Sequence, residues 1–83
     1  MKPSASYQVW YFGVLAERRG LADERVTHSA TTPAELYAAI TAQHRLELLP
    51  GDFRVAVNDE FVPWNHPLKD GDRIALLPPM SGG

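Results

Sequence analysis

The feature that most constrains the fold is one strong helix-start signal in a chain otherwise made of short strand-like segments. Thr32 offers a capping hydroxyl, Pro33 suits the first helical position, and Glu35 completes a capping box. The helix is expected to end near residues 44–45, and its buried face at helical spacing is expected to comprise Leu36, Ala39, Ile40 and Gln43. One helix covers only one side of a sheet, so the other side must face solvent or a partner.

The rest of the chain predicts a small mixed sheet. Residues 7–12, 25–30, 53–57, 61–62 and 73–77 have strand-like composition or alternation, and residues 14–20 resemble a short helical turn closed by glycine. The order predicts a two-layer α+β fold, with about five strands, one main helix and the first and last strands adjacent at the centre. We expect a single domain over residues 1–83, with a loose N-terminus at 1–6 and an extended tail at 78–83.

Size and charge exclude several classes of function. A chain of 83 residues has little room for a deep catalytic cavity, so a stand-alone enzyme is not expected. A net charge of −2 without a basic run argues against nucleic-acid or anionic-membrane binding. No apolar stretch approaches the ~18 residues that a membrane span needs. The three histidines match no metal-ligand spacing, so no metal site is expected. The chain has no cysteine and therefore no disulfide, and a cytoplasmic location is the default expectation.

Alternation within the strands predicts which side of the sheet is free. Gln8 and Arg73 mark the solvent side, because burying either side chain without partners would be costly. The residues expected to pack against Leu36 and Ile40 are Tyr7, Val9, Tyr11, Ile74 and Leu76. The free side then carries Trp10, Phe12 and Leu77, and Phe61 is a further candidate for this patch. Such an apolar patch usually marks a partner site; alternatively, the loop holding Val14 and Leu15, or the Trp64 loop, covers it.

The C-terminus is the second informative feature. Pro78 and Pro79 cannot donate to a strand ladder, and Met80 is followed by the small residues Ser81-Gly82-Gly83. From Pro79 onward the chain can extend about 15–18 Å, enough to thread a narrow channel. Its terminal carboxylate is ionised at neutral pH and needs activation, normally as an acyl-adenylate, before a nucleophile can attack it. The alternative is an ordinary frayed terminus, which often contains glycine.

Three blocks of sequence carry a family resemblance: Val9-Trp10-Tyr11-Phe12, residues 55–60 (VAVNDE) and residues 66–83 (HPLKDGDRIALLPPMSGG). Together they resemble the small, sulfur-carrying subunit of molybdopterin synthase, a ubiquitin-like β-grasp family. The Pro-Pro-x-Ser-Gly-Gly ending is characteristic of that branch, and Met80 stands where valine is commonest. The resemblance therefore implies a β-grasp fold and a sulfur carrier of molybdenum cofactor biosynthesis.

The resemblance also implies a reaction sequence. An E1-like enzyme would consume ATP to adenylate Gly83, and a sulfur-donor system would convert the adenylate to a thiocarboxylate. The large synthase subunit would receive the tail, with Gly82 passing its channel, and the sulfur would pass to cyclic pyranopterin monophosphate. The protein would hold no cofactor, perform no catalysis alone, and form a heterotetramer with the large subunit.

The partner-binding residues follow from the resemblance and from the free face together. Phe12, Phe61 and Leu77 match family positions that meet the large subunit, and the full expected set adds Trp10, Pro78, Pro79, Met80 and Ser81. Three other readings stay open. They are a ubiquitin-like modifier joined to lysines through Gly83, a sulfur carrier for thiamine or another thiolation pathway, and an interaction module with an inert tail.

Overall fold

The computed structural model describes residues 4–46 and 53–78, and these form the predicted two-layer α+β arrangement. Along the chain the elements are β1 (Ala5–Tyr11), α1 (Val14–Arg19), β2 (Asp23–His28), α2 (Pro33–His44), β3 (Arg54–Val57), β4 (Glu60–Val62) and β5 (Arg73–Leu77). The sheet has the strand order β2-β1-β5-β3-β4. The first and last strands lie side by side in parallel, and the other pairs are antiparallel. The predicted mixed five-stranded sheet with one main helix is confirmed.

Two strands begin two residues earlier than predicted, and the boundaries of the other three strands agree to within one residue. β1 begins at Ala5, so Ala5 and Ser6 belong to the sheet and the expectation of a loose segment over residues 1–6 is wrong for them. The reason is pairing at both edges of the strand: Ser6 lies opposite Thr27 of β2, and its carbonyl accepts a hydrogen bond from Gly71 N–H at 2.8 Å. β2 is an edge strand as expected, shifted two residues toward the N-terminus of the predicted segment.

The helix begins where the capping residues predict. The Thr32 hydroxyl accepts from the Glu35 N–H at 3.2 Å, and the Glu35 carboxylate accepts from the N–H and hydroxyl of Thr31. Helix α2 ends at His44, and the next residue, Arg45, caps it in a left-handed conformation with φ 52°.

The buried face of α2 is rotated from the predicted one. Leu36 and Ile40 are buried as expected, whereas Gln43 is exposed and Ala39 is only half-buried, so these two assignments are wrong. Tyr37 is buried instead, because its ring packs against Trp64 and Phe53 with centroids 5.6 and 6.2 Å away. Two distant aromatic partners thus decide which side of the helix turns inward.

The core lies between α2 and one face of the sheet. The five strand residues predicted to pack there are all nearly fully buried: Tyr7, Val9, Tyr11, Ile74 and Leu76. The Tyr7 hydroxyl donates to the carbonyl of Ala30 at 2.7 Å, which satisfies the polar end of that ring. No helix within the described residues is long and apolar enough to cross a membrane.

Candidate functional site

The opposite face of the sheet carries an exposed aromatic patch. Strand register places Trp10 beside Ala75, Ala75 beside Ala56, and Ala56 beside Phe61, so two alanines separate the aromatic rings. Trp10 and Phe12 expose 40% and 42% of their surface, and Phe61 exposes 67%. Leu77, opposite Arg54, is half-buried on the same face. We call Trp10, Phe12, Phe61 and Leu77, with the alanines between them, the aromatic face.

The two segments that could have covered the aromatic face pack elsewhere. Leu15 is fully buried in the core, and its neighbour Val14 also packs against the core cluster. Trp64 contacts Tyr37 on the helix side of the sheet. The covering alternative therefore fails for both segments, and the aromatic face is open in the described part of the chain.

A shallow cavity lies within the aromatic face. Its volume is about 270 Å³, and it is lined by Trp10, Phe12, Ala75, Asp59 and Arg73. The two charged residues form an ion pair at 3.0 Å. An apolar floor with a charged edge is the usual composition of a protein–protein contact, whereas the substrate cleft of an enzyme is deeper and more enclosed.

A tight hairpin presents Phe61 on this face. Asn58 and Asp59 join β3 to β4 with φ values of 51° and 74°, the pattern of a type I′ turn. The Asn58 side chain accepts from the Arg73 N–H at 3.0 Å and donates to Asp72 at 3.0 Å. The turn is therefore tied to the start of β5, and Phe61 keeps its place although its ring is mostly exposed.

Polar side chains at two edges of the aromatic face, Arg54 and the Gln8–Asp23 pair, were not predicted from the sequence. The Arg54 guanidinium lies over the Phe61 ring at 6.0 Å from its centroid, a cation–π distance. At the other edge Gln8 donates to Asp23 at 2.6 Å. Alternation within β3 already places Arg54 opposite the core-facing Phe53 and Val55, so its face was predictable. Its pairing with Phe61 depends on the hairpin register.

A hydrogen-bonded cluster fixes the end of β1, one residue before Phe12 in the sequence. Arg19 donates two hydrogen bonds to the Glu24 carboxylate at 2.8 Å, and the Tyr11 hydroxyl donates a third at 2.6 Å. The bonds from Arg19 hold the pKa of Glu24 below its ordinary value. Burial, reinforced by the bond to Glu24, raises the pKa of Tyr11. The cluster thus holds a carboxylate, a guanidinium and a neutral phenol together at the end of β1.

The structure reaches the base of the predicted tail. Pro78 is half-buried and lies beside Gly13, the residue after Phe12. The remaining predicted tail residues, Pro79, Met80, Ser81, Gly82 and Gly83, lie outside the described residues, so their roles stay predictions. Within the described residues no group of three or more histidine, aspartate or glutamate side chains could hold a metal ion.

Comparison with known proteins agrees with this geometry. A family model described as the ThiS family matches residues 9–83. The molybdopterin synthase sulfur carrier subunit of Escherichia coli (strain K12) is 34% identical over 79 residues, covering 92% of this chain and 98% of that protein.

Two solved structures have the same fold. SAMP1 from Haloferax volcanii superposes with a TM-score of 0.79 at 27% identity, covering 95% of this chain and 100% of its own. The second is a chain in the complex of subunits 1 and 2 of the molybdopterin-converting factor from Helicobacter pylori 26695. It superposes with a TM-score of 0.66 at 33% identity, covering 94% of this chain and 99% of its own. The family match, the curated relative and the shared fold confirm the resemblance seen in the sequence: this chain belongs to the ThiS family of ubiquitin-like β-grasp proteins.

Proposed function

We propose that this protein is the sulfur carrier of molybdopterin synthase and that its aromatic face binds the large subunit. The observation that carries the proposal is the position of Leu77 and Pro78. Leu77 lies on the aromatic face, and Pro78 lies beside the corner that follows Phe12. A partner that covers this face is therefore placed to receive the chain that continues toward Gly83. The relative named as a molybdopterin synthase sulfur carrier subunit supports the same assignment.

The chemistry takes place at the terminal carboxylate. One carboxylate oxygen of Gly83 attacks the α-phosphorus of ATP in an E1-like enzyme, and pyrophosphate leaves. A sulfide-level sulfur from a donor system then attacks the acyl carbon, and AMP leaves with its bridging oxygen. The product is a thiocarboxylate, whose sulfur bonds to a carbon of cyclic pyranopterin monophosphate in the large subunit and forms a thioester that still includes the Gly83 acyl group. Water then attacks the acyl carbon and breaks its bond to sulfur, so the sulfur stays on the pterin and Gly83 returns to a carboxylate.

The carrier needs no catalytic group of its own in this scheme. The activating enzyme binds ATP, and the large subunit binds the pterin, so the carrier holds no cofactor. Its part is to present a sulfur atom on a chain end that has no side chain at Gly82 or Gly83. A complex of the two molybdopterin-converting factor subunits is known for the Helicobacter pylori relative and supports a large-subunit partner here.

Intact mass spectrometry tests the proposal. Co-expression with the adenylating enzyme and sulfur-donor system of the same organism should give a species heavier by the difference between sulfur and oxygen. A variant lacking Gly83 is the matched control and should gain no sulfur. Purified thiocarboxylate should then convert cyclic pyranopterin monophosphate only when the large subunit is present. Failure of the unmodified chain, with Gly83 at its end, to acquire sulfur would refute the carrier role.

A second candidate function is protein modification. The similarity to SAMP1, a small archaeal modifier protein, favours it. In that case Gly83 would form an isopeptide bond with lysine side chains, and higher-mass conjugates would replace the sulfur-bearing species. A carrier for thiamine or another thiolation pathway would acquire sulfur but fail to bind the large subunit, so the binding assay separates these readings.

A further inference from the structure

The parallel pairing of β1 and β5 brings two distant parts of the chain together. Tyr11 lies opposite Leu76, so the residues two positions further on, Gly13 and Pro78, also meet. Gly13 leads into α1, and Pro78 begins the C-terminal tail. The contact therefore joins the corner at Gly13, which directly follows Phe12, to the start of the tail.

Gly13 differs from the other described glycines in what a side chain there would touch. A Cβ at Gly13 would lie 3.0 Å from Cγ of Pro78 and 3.6 and 3.8 Å from its Cβ and Cδ. A Cβ at Gly20 or Gly71 would have no heavy atom within 4 Å, although both also have positive φ. Gly13 itself has φ 60° and ψ −132°, a combination that residues with a Cβ avoid.

The corner at Gly13 is held more firmly than Pro78. The Gly13 carbonyl accepts from the Glu17 N–H at 3.2 Å, and the fully buried Leu15 anchors α1 in the core. Before the corner, Tyr11 donates its N–H to Ala22 at 2.8 Å and its hydroxyl to Glu24 at 2.6 Å. Pro78 has no N–H to donate and lies beyond the last strand residue. A side chain at position 13 would therefore displace the proline ring.

We infer that Gly13 is a positioning residue for the C-terminal tail. Its missing Cβ lets the Pro78 ring lie against the corner, and this contact sets the direction of the chain where it leaves β5. The functional consequence rests on the proposed function, because an activating enzyme must bind the body and receive Gly83 at a fixed distance. Misdirecting the base of the tail should slow adenylation and leave recognition of the body much less affected.

A double-mutant cycle tests this inference. Gly13→Ala should lower kcat for ATP–pyrophosphate exchange by the adenylating enzyme about ten- to a hundred-fold, with KM changed by less than about three-fold. Pro78→Ala removes the Cγ that would clash with a side chain at position 13. It leaves only the Cβ of residue 78, which lies 3.6 Å from the place of a Cβ at position 13. When Gly13→Ala is added to the Pro78→Ala variant, it should lower kcat by a much smaller factor than it does in the wild-type chain. Backbone strain alone would cost the same in both backgrounds, and that result would overturn the inference.

Two further measurements keep the outcomes distinct. Gly20→Ala introduces a side chain at another positive φ without a contact, and it should leave kcat and KM unchanged; an equal loss of kcat there would also overturn the inference. Nuclear Overhauser contacts between Gly13 and the Pro78 ring test the contact without any enzyme, and their absence would refute it. If the wild-type chain supports no exchange, the proposed function fails, whereas the contact is still judged by the Overhauser measurement.

Discussion

Replacing Phe61 with alanine should separate partner binding from folding. Phe61 exposes 67% of its surface in the isolated protein. A phenylalanine presents about 200 Å² when fully exposed, so about 130 Å² of apolar area is available to a partner. At about 25 cal/mol per Å² that area corresponds to about 3 kcal/mol, or roughly two orders of magnitude in Kd. This value is an upper bound, because alanine keeps its Cβ.

The same substitution should have a smaller effect on stability. About one third of the Phe61 side chain is already covered in the fold, and its loss together with the Arg54 contact should cost about 1–2 kcal/mol. Trp64→Phe is a matched control on the opposite side of the sheet. It trims the ring that packs on Tyr37 and should destabilise the fold by a similar amount of about 1–2 kcal/mol.

Isothermal titration calorimetry with the large subunit gives the affinities, and urea unfolding gives the stabilities. Phe61→Ala should weaken binding far more than Trp64→Phe, although both variants lose comparable stability. Equal affinities for the two variants would show that the partner does not cover the aromatic face. A loss of binding by Trp64→Phe alone would place the interface on the helix side.

Three other changes give simple outcomes. Thr32→Ala removes the hydroxyl that caps α2 and should lower the free energy of unfolding by about 1 kcal/mol, measured with urea, whereas Thr32→Ser should restore it. The lowered pKa of Glu24 means that its carboxylate stabilises the fold above its unfolded-state pKa and stops doing so as pH falls through the folded value. Stability should therefore fall in acid, and Glu24→Gln should flatten that part of a pH-dependent unfolding curve; an unchanged slope would contradict this. Deleting Gly83 should abolish sulfur loading without shifting the thermal midpoint, and a large shift would show that the tail supports the fold.

Local chemistry explains what the sequence could predict. The start of α2 depends on Thr32, Pro33 and Glu35, which lie within four residues of one another. The free side of the sheet follows from the two-residue period of a strand, together with the polar markers Gln8 and Arg73. Both features could be predicted because each is determined by the residue pattern within one short segment.

The features that were missed depend on contacts between distant segments. Tyr37 replaces Gln43 on the buried face of α2 because Phe53 and Trp64 pack against it, and both follow the helix in sequence. The contact between Gly13 and Pro78 requires knowing that β1 and β5 are parallel and in which register. A pattern within one segment carries no information on either point.

Register is what keeps the two faces of the sheet distinct. Val9 is fully buried in the core while the next residue, Trp10, exposes 40% of its surface to the aromatic face. A slip of one residue between β1 and β5 would exchange such neighbours and disrupt the core and the aromatic face together. The turn before β5 prevents the slip because three hydrogen bonds join it to β1. The Asp70 carboxylate accepts from the Ser6 N–H at 2.7 Å, and the Gly71 N–H donates to the Ser6 carbonyl at 2.8 Å. The Asp72 carbonyl accepts from the Gln8 N–H at 3.1 Å. The turn before β5 therefore supports both the fold and the proposed partner surface, although none of its residues belongs to the aromatic face.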